Sequence, residues 1–390
     1  MSLASLLGPL STEQFARRCW GRQPLHVRRA EREFFASLLS LSSIERQLSQ
    51  AEFFERQAIT APRLEYGAPD PPVASLGDLQ QRLQLGSSVR LRRMERWLSP
   101  SEPLMRLGRC LELELQHPLS SISCYITPSN AVGLGPHHDE TEIFTLQVSG
   151  RKRWRLYHRV NDARPGLHRR EELGEPAQDL LLEPGELLYL PRGWIHDVTN
   201  DEPSFSLTLV FDPIRWNDML ALLLSRLQAA GQLDPTLGEP LPAGELLRAR
   251  PSDAFVDAFH QRIRSLRAAL DELTPELLAA EAARELLERL PLPPQPGRSC
   301  LLELEALSLD TLLEKRPGIA YRLLEDSGRI TLLLSGGYRV QMNAKAAPAL
   351  RAITAQEGPF RIRQMPHGLS DPAKLALARQ LVGAGLLCLV

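Results

Sequence analysis

The stretch "GPHHDETEIF", residues 135–144, places two adjacent histidines directly before an aspartate. In a β-strand the side chains of residues i and i+2 project from the same face, so His137 and Asp139 point one way and His138 points the other way. An imidazole and a carboxylate held side by side on a strand can occupy two adjacent positions around a metal ion. We therefore expect a metal pair at His137 and Asp139, with His138 outside it as a partly exposed side chain.

A third metal ligand must come from another part of the chain. The stretch "YLPRGWIHDV" offers His196, just after a Pro-Arg-Gly turn and near the start of a strand-like run. Two histidines and one carboxylate leave three coordination positions open, and this is the ligand set of non-haem Fe(II) oxygenases. Spacing alone does not bring residues 137 and 196 together, so an ordinary loop histidine is the alternative interpretation of His196.

The basic run after Gly150 contains one lysine among arginines. Strand alternation puts Lys152 on one face with Trp154 and Leu156, and the arginines at positions 151, 153 and 155 on the other. A lysine that points into an apolar interior is unfavourable unless an anion neutralises it. Lys152 therefore either extends to the mouth of a barrel or binds a carboxylate of a dicarboxylate ligand.

Short strand-like runs surround these residues between about 105 and 215. Six of them are separated by turn-forming residues, without a long helix between them, which predicts an antiparallel sandwich or barrel. The runs are "LELELQ", "SISCYIT", "EIFTLQV", "KRWRLY", "DLLLEPGELLYLP" and "SFSLTLVF". The predicted class is α+β, because helical patterns lie on both sides of this region.

Residues 1 to about 90 are predicted to be mostly helical, with Ser11 or Thr12 as an N-cap. Apolar stripes with charged faces return between 217 and 290, and they predict either a homodimer interface or helices that cover the barrel. The Pro-rich segment 291–298 is a predicted linker. Beyond it, the pattern predicts a helix over 306–317, a hairpin with a Ser-Gly-Gly turn and further helices, in the order of a small winged-helix-like module.

The composition limits the classes of partner and location. The net charge of −1 gives no overall attraction to nucleic acid or anionic membrane, and residues 301–390 carry 11 Lys/Arg against 8 Asp/Glu. Nucleic acid is therefore not an expected partner, and no apolar run long enough for a membrane span occurs. Five scattered cysteines and an N-terminus without a signal-peptide pattern predict a cytoplasmic protein.

Three stretches together resemble the JmjC-type 2-oxoglutarate oxygenases, and most closely the ribosomal oxygenases, the cupin-like proteins that hydroxylate ribosomal proteins. They are "CYITPSN", "GPHHDETEIFTLQVSGRKRWRLY" and "EPGELLYLPRGWIHDVTN", and the resemblance is specific over residues 120–200. It implies a double-stranded β-helix, also called a jelly roll or cupin core. It further implies that His137, Asp139 and His196 hold Fe(II), and that Lys152, assisted by Tyr125, binds the far carboxylate of the cosubstrate 2-oxoglutarate.

The resemblance also implies a domain plan. Residues 1–90 would flank the barrel, 91–216 would form the catalytic jelly roll, 217–292 a helical dimerisation segment and 299–390 a winged-helix-like domain. The implied function is O2-, Fe(II)- and 2-oxoglutarate-dependent hydroxylation of a polypeptide side chain, namely an arginine or histidine of a ribosomal protein. A tailoring hydroxylase of a precursor peptide and a non-catalytic cupin-like scaffold are the alternatives.

Carboxylates at the rim of the barrel would favour a cationic target side chain such as arginine. Glu140 and Glu142 near the metal strand, and Asp197 beside His196, are the candidates for this rim. The alternative is that these acids only solvate a loop.

Overall fold

The computed structural model describes residues 1–39, 41–56, 59–60, 73–131, 133–161, 164–229, 231–245, 248–293, 304–326, 328–365 and 368–390. The chain forms two compact units, Met1–Pro213 and Ile214–Val390. Helices and antiparallel sheets occur in both units, so the mixed class is as predicted. Most of the predicted linker, from residue 294 to 298, lies outside the described residues.

Six α-helices occur in the described part of the first unit. They are α1 Leu3–Leu7, α2 Thr12–Arg18, α3 Leu41–Leu48, α4 Ala51–Arg56, α5 Leu76–Gln84 and α6 Pro103–Leu115. Helix α2 begins at the predicted N-cap, because the Ser11 hydroxyl accepts a hydrogen bond from the Gln14 backbone N–H at 3.1 Å. The Gln14 side chain accepts in return from the Ser11 backbone N–H, which completes a capping box.

The run "LELELQ", residues 111–116, is not the strand that its alternation predicts. It forms the end of α6 and the turn after it. Leucine and glutamate are both strong helix formers, so six alternating residues do not decide between helix and strand. Leu104, Leu107 and Leu111 recur at helical spacing and are fully or almost fully buried, which places the apolar face of α6 against the core.

Among the residues that the structure describes in the first unit, twelve strands form two antiparallel sheets. They are β1 Leu25–Val27, β2 Ile59–Thr60, β3 Val89–Leu91, β4 Leu119–Thr127, β5 His137–His138, β6 Glu142–Ser149, β7 Lys152–Arg159, β8 Gly166–Leu167, β9 Gln178–Leu182, β10 Leu187–Leu190, β11 Trp194–Thr199 and β12 Ser204–Phe211. The seven-stranded sheet has the order β1-β10-β6-β12-β4-β3-β2, and the five-stranded sheet has the order β8-β5-β11-β7-β9. The other five strand-like runs are therefore confirmed, and one of them divides into β9 and β10 in different sheets.

Strand β12 of the seven-stranded sheet is buried on both faces, and its two faces differ in chemistry. In β12, Phe205, Leu207 and Leu209 belong to the core that the helices complete. The alternate residues Ser206 and Thr208 are buried too, but they point to the interior between the two sheets. Strand β12 thus presents apolar side chains to the core and hydroxyl-bearing side chains to a cavity between the two sheets.

The described residues of the second unit form five α-helices and six strands. The helices are α7 Trp216–Ala229, α8 Asp253–Asp271, α9 Pro275–Arg289, α10 Ala347–Ala355 and α11 Asp371–Gly383. The strands are β13 Leu312–Lys315, β14 Tyr321–Asp326, β15 Arg329–Leu334, β16 Arg339–Asn343, β17 Phe360–Arg361 and β18 Leu387–Leu389, in sheets of order β14-β15-β16 and β17-β13-β18. None of the described helices has the length and apolar content that a membrane span requires.

The helix predicted over residues 306–317 is wrong, because this segment contains β13. Leu313 is fully buried and pairs with Phe360 of β17 and Leu389 of β18. These partners lie about fifty and seventy-five residues away in the chain, so tertiary pairing overrides the local helical spacing. The predicted hairpin is confirmed by the antiparallel pair β15–β16, and the helix that follows it is confirmed by α10.

Candidate metal centre

Strands β5 and β11 bring the two predicted histidine ligands together. His137 and His196 are directly opposed in the antiparallel pair, and the centroids of their rings are 4.2 Å apart. Asp139 follows β5, and its Oδ2 lies 3.8 Å from His196 Nε2. The candidate ligand atoms of the three residues all lie within 4.8 Å of one another. Within the described part of the chain, no other cluster of three or more His, Cys, Asp or Glu side chains could hold a metal ion.

Backbone carbonyls orient both imidazoles. His137 Nδ1 lies 2.9 Å from the Gly135 oxygen, and His196 Nδ1 lies 3.0 Å from the Trp194 oxygen. A carbonyl oxygen only accepts, so each Nδ1 carries the hydrogen and donates. Each Nε2 therefore keeps its lone pair for a metal ion, which is the usual role of such outer hydrogen bonds.

The charge states also suit a divalent metal ion. Burial, together with the nearby His137, lowers the pKa of His196 to about 4, so its imidazole is neutral at pH 7. Burial opposes ionisation of Asp139, but His137 and His196 more than offset it and lower the pKa of this carboxyl below its usual value. Nitrogen lone pairs and an ionised carboxylate fit the facial donor set of non-haem Fe(II).

His138 lies on the opposite side of β5 and is not among the residues that line the cavity. Its Nε2 is 2.9 Å from the Arg164 backbone oxygen, and its Nδ1 is 2.8 Å from His168 Nε2. The structure therefore separates His138 from the pair His137 and Asp139, as the strand alternation predicts. The expectation that it is partly exposed is wrong, because only 4% of its surface is accessible.

A cavity of about 170 Å³ lies beside the candidate ligands, between the two sheets. The seven-stranded sheet contributes Tyr125 from β4 and a row of hydroxyl groups from β6 and β12. The five-stranded sheet contributes Lys152, Trp154 and His196. The hydroxyl groups belong to Thr145, Ser206 and Thr208.

Lys152 is the buried cation of this cavity, with only 6% of its surface accessible. Its Nζ donates to Ser206 Oγ at 3.1 Å and lies 5.1 Å from the centroid of the Tyr125 ring. No carboxylate of the described chain lies within ion-pair distance of Nζ, and burial lowers the pKa of Lys152 to about 7. An ammonium has three N–H donors, so the contact with Ser206 leaves donors for an incoming anion.

The alternation predicted for the basic run is confirmed. Trp154 and Leu156 are buried with Lys152, whereas Arg153 on the opposite face is exposed. The Trp154 ring also stacks on His196, with centroids 5.5 Å apart. The face that presents Lys152 to the cavity thus also supports one candidate metal ligand.

Arg90 lines the cavity, and sequence reasoning did not identify it. Its Nε donates to Ser123 Oγ at 3.1 Å, its guanidinium carbon lies 5.4 Å from the centroid of the Tyr125 ring, and it pairs in register with Tyr125. The sequence does contain a feature that predicts this position of Arg90. Its neighbours Val89 and Leu91 are apolar, so alternation places Arg90 on the face of the strand opposite to theirs. A three-residue strand is too short for this alternation to be distinctive.

The three carboxylates expected at the rim do not line the cavity. Glu142 is 1% exposed and accepts a hydrogen bond from the Tyr189 hydroxyl. Asp197 is also 1% exposed and forms an ion pair with Arg170. Glu140 is exposed to solvent. The expectation of an acidic rim is therefore wrong for Glu142 and Asp197, which are buried. The place of Glu140 at the rim stays a prediction.

The sequence profile of the JmjC domain matches residues 104–219. This span contains His137, Asp139 and His196, and also Lys152 and Tyr125. This part of the chain is a JmjC domain. The resemblance seen in the three sequence stretches is thereby confirmed.

Curated relatives include a bifunctional lysine-specific demethylase and histidyl-hydroxylase, NO66, from Drosophila persimilis, which is 34% identical over 220 residues that cover 53% of this chain and 30% of that protein. Ribosomal oxygenase 1 of Rattus norvegicus is 32% identical over 72% of this chain and 50% of that protein. The human ribosomal oxygenase 1 is 31% identical over 72% of this chain and 46% of that protein. The chain thus spans half or less of the length of these relatives.

Solved structures of a ribosomal oxygenase from Escherichia coli, YcfD, share the fold. The complex of YcfD with cobalt and 2-oxoglutarate has a TM-score of 0.58 and 20% sequence identity, and the match covers 98% of both chains. A second YcfD structure has a TM-score of 0.57 at 21% identity. The likeness confirms the JmjC/cupin architecture of the two-sheet core.

Proposed function

We propose that this chain is an Fe(II)- and 2-oxoglutarate-dependent oxygenase that hydroxylates a side chain of a ribosomal protein. The observation that carries the proposal is the set His137, Asp139 and His196 beside a cavity that contains the buried cation Lys152. The names of the relatives support it, because they include ribosomal oxygenases and histidyl-hydroxylases. The structure of YcfD in complex with cobalt and 2-oxoglutarate supports a metal ion and the same cosubstrate.

His137, Asp139 and His196 would hold the iron. The bound iron, 2-oxoglutarate and O2 supply an oxidation in which one oxygen atom enters a substrate C–H bond and the other enters succinate, with release of CO2. The far carboxylate of the cosubstrate would accept hydrogen bonds from Lys152 and Tyr125. Burial raises the pKa of Tyr125 above its usual value, so its hydroxyl stays protonated and can donate.

We infer that the target side chain is a neutral histidine and not a cationic arginine. Arg90 and Lys152 both line the cavity, and the one carboxylate among its described lining residues is Asp139, a proposed metal ligand. Once Lys152 is paired with the cosubstrate, Arg90 remains to repel a guanidinium and to donate a hydrogen bond to a neutral acceptor.

The proposed function is tested by mass spectrometry of ribosomal proteins from cells with and without the gene. One ribosomal protein should be heavier by one oxygen atom only when the gene is present, and the added atom should map to a histidine. Identical ribosomal proteins in both strains would contradict the ribosomal substrate.

The affinity for 2-oxoglutarate should fall as the pH rises above about 7. Lys152 has a pKa of about 7 in the protein without ligand, so above this pH the neutral amine must first be protonated before it can pair with the cosubstrate. The apparent Kd should then rise by up to about tenfold per pH unit until the pKa of the complex is reached. Calorimetric titration with saturating metal between pH 6.5 and 8.5 measures this change.

The matched control for the pH series is Lys152→Arg, because a guanidinium stays charged throughout the range. The other charged groups at the cavity, Asp139 and Arg90, and the histidine ligands are the same in both proteins. The pH dependence of the Kd should therefore be present in the wild type and flat in Lys152→Arg. Parallel curves would show that another group causes the effect.

We further propose that the protein is a homodimer through α8. This 19-residue helix has no buried residue. Phe259 is 52% exposed and Ile263 is 45% exposed. An apolar stripe runs along one face of the helix at helical spacing, and it consists of Phe255, Phe259, Ile263, Leu266 and Leu270. A symmetric contact between two copies would bury this stripe.

Sedimentation should show a dimer at micromolar concentration, and Ile263→Glu should shift it to a monomer. Leu85→Glu is the matched control, because Leu85 is an apolar residue of the first unit that is 73% exposed. A wild-type protein that is entirely monomeric at this concentration would contradict the dimer.

The remaining assignments are proposals of organisation and location. We propose 1–90 as the part that flanks the barrel, 91–216 as the catalytic jelly roll, 217–292 as the dimerisation segment and 299–390 as a winged-helix-like domain. The cytoplasm is the proposed location, which is supported by five cysteines that are scattered along the sequence and form no CxxC pair.

A further inference from the structure

Strand β5, which carries the proposed metal ligand His137, is short and depends on its two neighbouring strands for its position. It consists of two residues, and its single register pair with β11 joins His137 to His196. On its other edge it pairs with β8 at both of its residues. Strand β8 belongs to residues 164–172, which we call the tether segment. The position of one proposed metal ligand therefore depends on how the tether segment is held.

His138 binds the tether segment through both nitrogens of its ring. Its Nε2 donates to the Arg164 oxygen at 2.9 Å, because a carbonyl only accepts. Its Nδ1 then accepts from His168 Nε2 at 2.8 Å. The His168 backbone N–H donates to the Pro136 oxygen at 2.8 Å. These contacts fix the residue between the proposed ligands His137 and Asp139.

The tether segment also holds β11, the strand that carries the proposed metal ligand His196. Arg170 Nη2 lies 2.7 Å from Asp197 Oδ2, whereas the second arginine near this carboxylate, Arg155, is 3.7 Å away. Asp197 is 1% exposed and directly follows His196 in β11, on the face away from the cavity. A buried carboxylate that loses its close partner is strongly unfavourable, so Arg170 keeps the tether segment against β11.

We propose that Arg170 and His168 are positioning residues, which hold β5 and β11 at the separation that the metal ion needs. The proposal rests on the proposed function, because it takes His137, Asp139 and His196 as the metal ligands. The tether segment contacts the residue next to a ligand on each strand, and it does so without lining the cavity. Groups that hydrogen-bond a metal ligand directly typically change metal affinity roughly 10–100-fold, so residues that act through the position next to a ligand are expected at the lower end of this range.

The test is a titration of the full chain with Co(II) alone, followed by the visible d–d absorption of the bound ion. Arg170→Ala and His168→Ala should each raise the Kd for Co(II) about tenfold or more. The matched control is Arg153→Ala, which removes an exposed arginine–aspartate pair with Asp179 at 3.0 Å in the same sheet. The control should bind Co(II) like the wild type.

Thermal unfolding of the metal-free proteins shows whether a weaker binding of Co(II) comes from lost positioning of the strands or from a general loss of stability. His168→Ala leaves the ion pair with Asp197 intact, so it tests the same spacing if Arg170→Ala fails to fold. Equal Co(II) affinities in the two tether variants and in Arg153→Ala would overturn the proposal. A wild-type protein without saturable Co(II) absorption would instead overturn the metal centre itself.

Discussion

Replacing His137 or Asp139 with alanine is expected to abolish iron-dependent turnover, whereas His138→Ala keeps turnover at saturating iron. The first two variants remove an atom from the proposed ligand set. The loss should exceed the roughly 10–100-fold change that outer partners typically cause. His138 has both ring nitrogens occupied by the tether segment and does not line the cavity. Succinate release at increasing Fe(II) concentration measures the difference.

The pair His137 and His138 provides its own control, because two adjacent histidines of one strand are changed in the same way. His138→Ala is expected to need more iron than the wild type, since it loosens the tether segment. It should nevertheless reach substantial turnover. Equal and complete loss of turnover in both histidine variants would show that the choice of the metal ligand is wrong.

Lys152→Ala is expected to raise the 2-oxoglutarate concentration needed for half-maximal turnover by about tenfold to a hundredfold. A hydrogen bond to a charged group is worth about 1.5–3 kcal/mol, and about 1.4 kcal/mol corresponds to a factor of ten. Lys152 is buried, with Ser206 Oγ as its one described hydrogen-bond partner, so water cannot readily replace the lost charge. Steady-state assays of succinate release at fixed iron give this concentration.

Two further variants separate charge from packing at this position. Lys152→Arg keeps the charge and should retain part of the activity, although the larger guanidinium must fit the buried space next to Ser206 and Tyr125. Ser206→Ala removes only the neutral hydroxyl and should change the cosubstrate requirement less than Lys152→Ala. Unchanged cosubstrate dependence in Lys152→Ala would remove this residue from the anion site.

The candidate metal centre could be predicted from the sequence because two of its three residues are close in the chain. Side-chain alternation in an extended segment places His137 of β5 and Asp139, which follows β5, on a common face, and the same rule assigns Lys152 to the interior. His196 required the family resemblance, because only the antiparallel pairing of β5 with β11 brings it within reach. Arg90 was missed because its strand has only three residues.

The wrong predictions have two causes. Either the alternation of strand side chains was not applied to every residue, or helical spacing or tertiary pairing prevailed over the local pattern. Glu142 lies on the face opposite to Ile143 and Thr145, which line the cavity, so the same rule that found Lys152 excludes it from the rim. The Leu-Glu alternation of residues 111–116 belongs to α6, where helical spacing upstream prevails. Strand β13 depends on pairing with β17 and β18, which local sequence does not reveal.

The most direct test of the central claim is an assay of the purified protein with Fe(II), 2-oxoglutarate and O2, in which a histidine peptide and an arginine peptide from ribosomal proteins compete. The predicted result is release of one succinate for each oxygen atom added, with the added atom on the histidine peptide, and with both products absent in Asp139→Ala. Oxidation of a free small metabolite, without oxidation of either peptide or of intact ribosomal protein, would contradict the claim that this chain is a polypeptide hydroxylase.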